Sequence, residues 1–283
     1  MTVELAHLDY PAETGGRPAV VLLHGLGSSA ADWQLQLPAL VARWPVLAVD
    51  LRGHGHSPPV RGWYRMDAIA ADVARLLERK TTSPCHIVGL SLGAAAGLQL
   101  TLDRPDLVRS LVLVNGFAGL KVGWRGGAGG LVRLALLLAG RMDWLGRWVA
   151  RTVFPHRGQR ELRRLAARRI GAMRRQDYLH SLWAIARFDA ADRLARVEAP
   201  TLVVAGLQDQ IVPRSAKLRL FRQLPNAAWA PVPGSGHATP IDAPDIFNQL
   251  LVAFLQANDP PAAGRNTPAE SERPLGVPSG QVS

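Results

Sequence analysis

The sequence predicts a mostly parallel, doubly wound α/β sheet interrupted by one inserted helical segment. Three observations predict it. Short, continuous apolar runs rich in β-branched residues each end at a polar or glycine-containing loop. Helical patterns separate those runs at near-regular spacing, as crossover connections between parallel strands require. One junction, Gly89-Leu90-Ser91-Leu92-Gly93, passes from an apolar run straight into a helix with a serine at the turn.

The elements follow in order. Val3 to Tyr10 alternates loosely and reads as an edge strand, with a turn at Glu13 to Gly16. Pro18 to Leu23 is a strand buried on both faces, ending at His24-Gly25. A helix is expected over Ala30 to Ala42, a strand over Pro45 to Asp50, and a loop from Arg52 to Pro58. Met66 to Lys80 is an amphipathic helix, and Cys85 to Leu90 a buried strand. Leu92 to Leu102 is an Ala- and Leu-rich helix that stops near Arg104-Pro105. Ser110 to Val114 is a fifth strand. The alternation then breaks. From Phe117 to Ala190 the pattern is helical and Arg-rich, with a glycine-rich entry at Gly123 to Gly130. It resumes with a strand over Ala199 to Ala205, a helix over Arg214 to Gln223, a strand over Ala228 to Pro231 and a helix over Ala243 to Gln256. The expected division is therefore a first core part at 1–116, a helical lid at 117–190, a second core part at 191–257 and a disordered tail at 258–283, dense in Pro, Gly, Ser and charge.

Composition narrows the class. The 283 residues are 48% hydrophobic, enough for one large domain with an insertion. No apolar run approaches the roughly 18 residues of a membrane span. Met1 to Leu5 shows neither a basic leader nor a long apolar core, so a cytoplasmic location is expected. A lone Cys85 excludes an intramolecular disulfide and reads as a small core residue. Net charge is +11, and all of the excess falls between Phe117 and Ala190, where 15 Lys and Arg face 4 acids.

The chemistry gathers on loops that follow strands, at the edge where open α/β sheets bind ligands. Small residues flanking Ser91 allow a tight turn that exposes its hydroxyl at a helix N-terminus, where free N–H groups favour developing negative charge. Serine is a weak nucleophile without a base. Asp209 lies in the loop after the strand ending at Ala205, and His237 in Gly234-Ser235-Gly236-His237 after the last strand. His237 would take the Ser91 proton, and Asp209 would fix the imidazole tautomer. Asp209 also suits the N-cap of the next helix. Backbone N–H groups of Leu26 and Leu92 are expected to form an oxyanion hole. His24 reads as a residue that braces its loop. No metal or cofactor is called for.

Those pieces, His24-Gly25-Leu26-Gly27-Ser28 with Trp33, Asp50-Leu51-Arg52-Gly53-His54-Gly55-His56-Ser57, Gly89 to Gly93, Asp209 and Gly236-His237, resemble the α/β-hydrolase superfamily, in the branch of carboxylesterases, enol-lactonases, carbon–carbon bond hydrolases and acyl-carrier-protein methyl ester esterases. The resemblance implies the α/β-hydrolase fold with an inserted helical lid, and cleavage of a carboxylic ester or related acyl bond through an acyl-Ser91 intermediate. It makes the Asp50 to Ser57 loop structural and assigns Trp33 and Asn115 to substrate contact. Acyl transfer, carbon–carbon bond hydrolysis and non-catalytic binding use the same framework and stay open.

The lid arginines, among them Arg133, Arg141, Arg147, Arg151, Arg160, Arg163, Arg164, Arg168 and Arg169, allow several readings. They suit a solvated surface in an Arg-biased composition. They also suit a small anionic acyl substrate, an acidic carrier protein or an anionic membrane surface. A nucleic-acid partner is not expected, because nothing else in the chain fits a reader module.

Overall fold

The computed structural model describes residues 3–13, 17–120 and 128–259. Seven strands form one sheet in the order β1-β3-β2-β4-β5-β6-β7. They are β1 His7–Tyr10, β2 Val20–Leu23, β3 Val46–Val49, β4 Cys85–Leu90, β5 Val108–Val114, β6 Thr201–Gly206 and β7 Ala227–Val232. Only β1 runs antiparallel, against β3; every other neighbouring pair is parallel. Strands β2, β3, β4 and β6 are buried at every residue, which is why their sequences are mostly apolar rather than alternating, with His86 of β4 and Thr201 of β6 the polar exceptions.

Alternate residues feed two cores. Val21, Leu23, Ile87, Leu111 and Val203 face α2 Met66–Lys80, α3 Leu92–Asp103 and Leu220. Val20, Leu22, Val88, Val112 and Val204 face α1 Leu37–Val41 and the C-terminal helix. α3 buries every residue from Leu92 to Leu102, so its low amphipathicity reflects a helix surrounded by protein. The insertion consists of α4 Ala128–Leu138, α5 Met142–Val153, α6 Arg160–Ala172 and α7 Arg175–Arg187. Its own core is Leu137, Leu145, Val149, Ile170 and Tyr178. A bridge between Gly119 and Asp189, with Ala190 N–H donating to the Ala118 carbonyl (2.6 Å), closes its neck. Tyr64 Oη donates to Asp177 Oδ1 (2.7 Å), fastening α7 to the main domain. After β6 come α8 Arg214–Gln223, α9 Thr239–Asp242 and α10 Pro244–Ala257.

Three expectations need correction. The edge strand is only His7–Tyr10. The helix expected over Ala30 to Ala42 is a 3₁₀ turn, Ala30–Trp33, followed by the five-residue α1. Asp50 Oδ1 accepts the Ala30 N–H (2.7 Å) and Asp32 bonds back to Ser28 and Ser29, so side chains satisfy this backbone in a tight turn. The closing helix is found as expected, at Pro244–Ala257, and a separate short helix, Thr239–Asp242, precedes it. The tail is ordered at its start: Trp44 Nε1 donates to Asp259 (3.0 Å), which also meets Arg17 and His86. Residues 260–283, and 121–127 of the glycine-rich entry, lie outside the described residues.

The strand-end loops are held by buried polar groups. Leu51 N–H donates to His24 Nε2 (3.0 Å), so His24 Nδ1 carries the proton and donates to the Gly25 carbonyl (2.8 Å). Burial and the neighbouring His54 push the His24 pKa down to about 3, and burial lowers that of His54 as well. Below the ordinary histidine pKa of 6.5 the unfolded chain takes up protons that the folded chain refuses. Stability is therefore expected to fall between about pH 6.5 and about pH 3, by up to roughly 1.4 kcal/mol per pH unit for His24, with His54 acting in the same direction. Urea unfolding midpoints measured stepwise from neutral to acid pH check this, and His24→Gln should flatten the slope.

Candidate active site

Ser91 occupies the turn between β4 and α3 with φ 54° and ψ −105°, a backbone region that side chains rarely adopt. Close packing enforces it. A Cβ on Gly89 would collide with the Gly93 carbonyl, and one on Gly93 with the Leu23 carbonyl. The two flanking glycines are therefore where β4 and the first turn of α3 cross each other and β2. Ser91 N–H donates to the Val114 carbonyl (3.0 Å), tying the turn to the end of β5. Strain of this kind persists only where the surroundings over-determine it.

His237 Nδ1 lies 3.0 Å from Asp209 Oδ2. A carboxylate only accepts, so Nδ1 carries the proton and Nε2 is left with a free lone pair. Asp209 accepts four hydrogen bonds. Ile211 N–H (2.7 Å) and Val212 N–H (3.2 Å) reach Oδ1, while His237 and Lys217 Nζ (2.7 Å) reach Oδ2. Asp209 thus caps its own loop, and Pro213 is the residue that precedes α8. Burial alone would raise the Asp209 pKa. The charges of His237 and Lys217 and their hydrogen bonds overcome it and hold the carboxyl well below the usual range.

Lys217 is the residue that sequence reasoning missed. It is fully buried on α8, and its three N–H donors meet Asp209 Oδ2, Asn115 Oδ1 (2.7 Å) and the Gly206 carbonyl (3.1 Å). Burial lowers its pKa, and Asp209 opposes that. A signal did exist: Lys217 shares a helix face with the buried Leu220.

Asn115, also at positive φ (47°), is entirely buried. Its Nδ2 donates to the His237 carbonyl (2.8 Å), Thr239 Oγ1 (2.9 Å) and the Gly236 carbonyl (3.2 Å). Its Oδ1 accepts Gly206 N–H (2.8 Å) and Lys217. Asn115 therefore joins the loops after β5, β6 and β7 and has no polar atom left for a substrate, which corrects its assignment. Trp33 is likewise withdrawn: it is buried against Phe247 (ring centroids 6.5 Å apart), outside the cavity.

Ser91 and His237 open on one cavity of about 110 Å³. Its floor includes Gly25, Leu26 and Leu90. Its roof comes from the insertion, through Val149, Val153, Phe154, Leu165 and Ile170. The wall is mainly aliphatic, with Ser28, Asp32, Arg133 and Arg169 at its polar margin. Arg169 of α6 is paired with Asp32, next to the Gly25 to Ser28 turn. Leu26 borders the cavity, and the Leu92 N–H stands in the first turn of α3, where no helical acceptor is available. No hydrogen bond joins the Ser91 hydroxyl to the His237 ring in this structure. Among the described residues, no group of three or more His, Cys, Asp or Glu is placed to hold a metal ion.

A strained serine at a strand–helix turn, with an imidazole and a carboxylate delivered by later strands, defines a class of fold and site. The chain belongs to the α/β-hydrolase fold family, whose family model matches residues 18–244. It is 33% identical over 265 residues to a Caulobacter segnis protein named "Putative carbamate hydrolase RutD", covering 85% of this chain and 92% of that one. A Variovorax paradoxus protein of the same name is 36% identical over 260 residues, covering 84% and 91%. Among solved structures, a hydrolase from Pseudomonas aeruginosa matches with TM-score 0.80 and 28% identity over 89% of this chain and 94% of that one. The enol-lactonase of Burkholderia xenovorans has the same fold, with TM-score 0.82 at 23% identity over 90% and 97%.

Removing one member of a buried ion pair strands the other, at a cost of about 3–5 kcal/mol. Lys217→Met is therefore expected to lower the unfolding free energy by that amount in urea titration. Combining it with Asp209→Asn should cost clearly less than the sum of the single changes. A double-mutant cycle with zero coupling would contradict the pairing.

Proposed function

We propose that this protein hydrolyses a small carboxylic ester or related acyl bond by covalent catalysis at Ser91. The observation that carries the reading is the shared aliphatic cavity onto which a strained Ser91 and an Asp209-paired His237 both face. In this reading the free Nε2 of His237 accepts the Ser91 proton as Oγ attacks the acyl carbonyl. Leu26 and Leu92 N–H groups receive the oxyanion, a contribution of roughly 3–4 kcal/mol per donor. Imidazolium then protonates the leaving group. Water, deprotonated by the same ring, releases the acid from acyl-Ser91.

The size and lining of the cavity support a short aliphatic acyl group. An apolar protein cavity of about 150 Å³ holds benzene, so a space of about 110 Å³ suits an acyl group of a few heavy atoms. A second reading, carbamate cleavage, is favoured by the name of the relatives at 33% and 36% identity. The same nucleophile serves a carbamoyl carbonyl.

A fluorophosphonate probe is expected to label the wild type and not Ser91→Ala, read by intact mass. With p-nitrophenyl esters, kcat/KM should be highest from acetate to butyrate and drop for long chains; a matched carbamate tests the second reading. A folded wild type that neither labels nor hydrolyses any of these substrates would favour a non-catalytic binding role.

A further inference from the structure

The insertion has two faces with different chemistry. Its inner face roofs the cavity with Val149, Val153, Leu165 and Ile170. Its outer face is apolar where a solvated helix would be polar. On α4, Leu131, Leu134 and Leu138 recur at spacings of three and four residues, and so share one side of the helix. They are 63%, 47% and 73% exposed. Gly140-Arg141 turns the chain into α5, where Trp144 is 51% exposed. The guanidinium groups of Arg141 and Arg147 lie over that indole, 5.2 and 5.8 Å from its ring centroid. Arg147 and Arg151 continue the same side of α5 into a groove shared with Arg160, Arg163, Arg164 and Arg168 of α6. Asp143 is the one acid lining that groove, and it pairs with Arg141.

We propose that this outer face docks on an anionic lipid bilayer, with the α4 leucines and Trp144 at the acyl boundary and the arginines among headgroup phosphates. An exposed leucine stripe, an exposed indole and a bank of guanidinium groups are what an interfacial surface needs: apolar side chains to bury and cations to meet anionic lipid. A second copy of this chain would bring the same arginine bank against itself, and like charges oppose that. An acidic protein would neutralise the arginines but offers no apolar phase to the exposed Leu131, Leu134 and Leu138. Among the described residues no helix is long and apolar enough to cross a membrane, so the attachment is peripheral and reversible. This docking is independent of the hydrolytic reading, because binding needs neither Ser91 nor a substrate.

The test is co-sedimentation of the full chain with phosphatidylcholine vesicles, with and without phosphatidylglycerol, across a salt series. The wild type should sediment with phosphatidylglycerol vesicles, and part of that binding should survive salt. The triple variant Leu131→Ser, Leu134→Ser, Leu138→Ser should lose about a hundredfold in affinity and become fully salt-labile. Its thermal melt should match the wild type, since those side chains are exposed. Reversing Arg151 and Arg163 to Glu should abolish binding, whereas reversing Arg43 and Arg222 on the main domain should not. The vesicle-induced blue shift of tryptophan emission should shrink in Trp144→Phe. The proposal is overturned by absence of binding to the anionic vesicles, by equal loss from both charge reversals, or by a triple variant that binds as the wild type does. It is also overturned if this face makes a dimer in solution, or if polyglutamate binds as tightly as vesicles and the leucine changes leave both unaffected.

Discussion

One carboxylate and the groups that hold it organise the candidate active-site edge of this protein. Asp209 is buried, yet it stays charged because two backbone N–H groups, an imidazole and an ammonium donate to it. Lys217 in turn is tolerable in the interior because all three of its donors are used. Asn115 closes the arrangement by bonding both to Lys217 and to the backbone that carries His237. The loops after β5, β6 and β7 are thereby one hydrogen-bonded unit. Ser91 joins it through its own N–H, which donates to the end of β5. Removing any of these polar groups leaves another buried without a partner, so their geometry is held cooperatively.

The same logic explains why backbone strain is concentrated at this edge. The two non-glycine residues with positive φ among those described are Ser91 and Asn115, at the ends of the adjacent strands β4 and β5. Ser91 is pinned by steric closure around Gly89 and Gly93, and Asn115 by five side-chain hydrogen bonds, three donated and two accepted. A few kcal/mol of local strain is sustained at the positions where a side chain has to be aimed.

Much of this could be read from the chain. The buried strands were legible because strands covered on both faces must be apolar throughout, and the Ser91 turn because glycine is obligatory where backbones cross. Asp209 and His237 were legible from their place after late strands. What escaped depends on tertiary partners. Lys217 sits among Arg214, Arg219 and Arg222 in the sequence, so its place on the face of Leu220 is a weak signal until Asp209 is seen beside it. Asn115 and Trp33 looked like substrate contacts because strand-end and loop positions often are. Asn115 is instead spent on hydrogen bonds to neighbouring loops, and Trp33 is buried in packing against Phe247. The helix expected over Ala30 to Ala42 failed because Asp32 and Asp50, one local and one distant, satisfy its backbone in a turn.

The central claim is that the reaction passes through a covalent bond to Ser91. Rapid-quench mass spectrometry of the wild type turning over a short-chain ester tests it most directly. The account predicts a transient mass increase equal to the acyl group, located on the peptide that contains Ser91 and decaying at the rate of turnover. Hydrolysis that proceeds with no adduct on that peptide, or with an adduct on another residue, would contradict it.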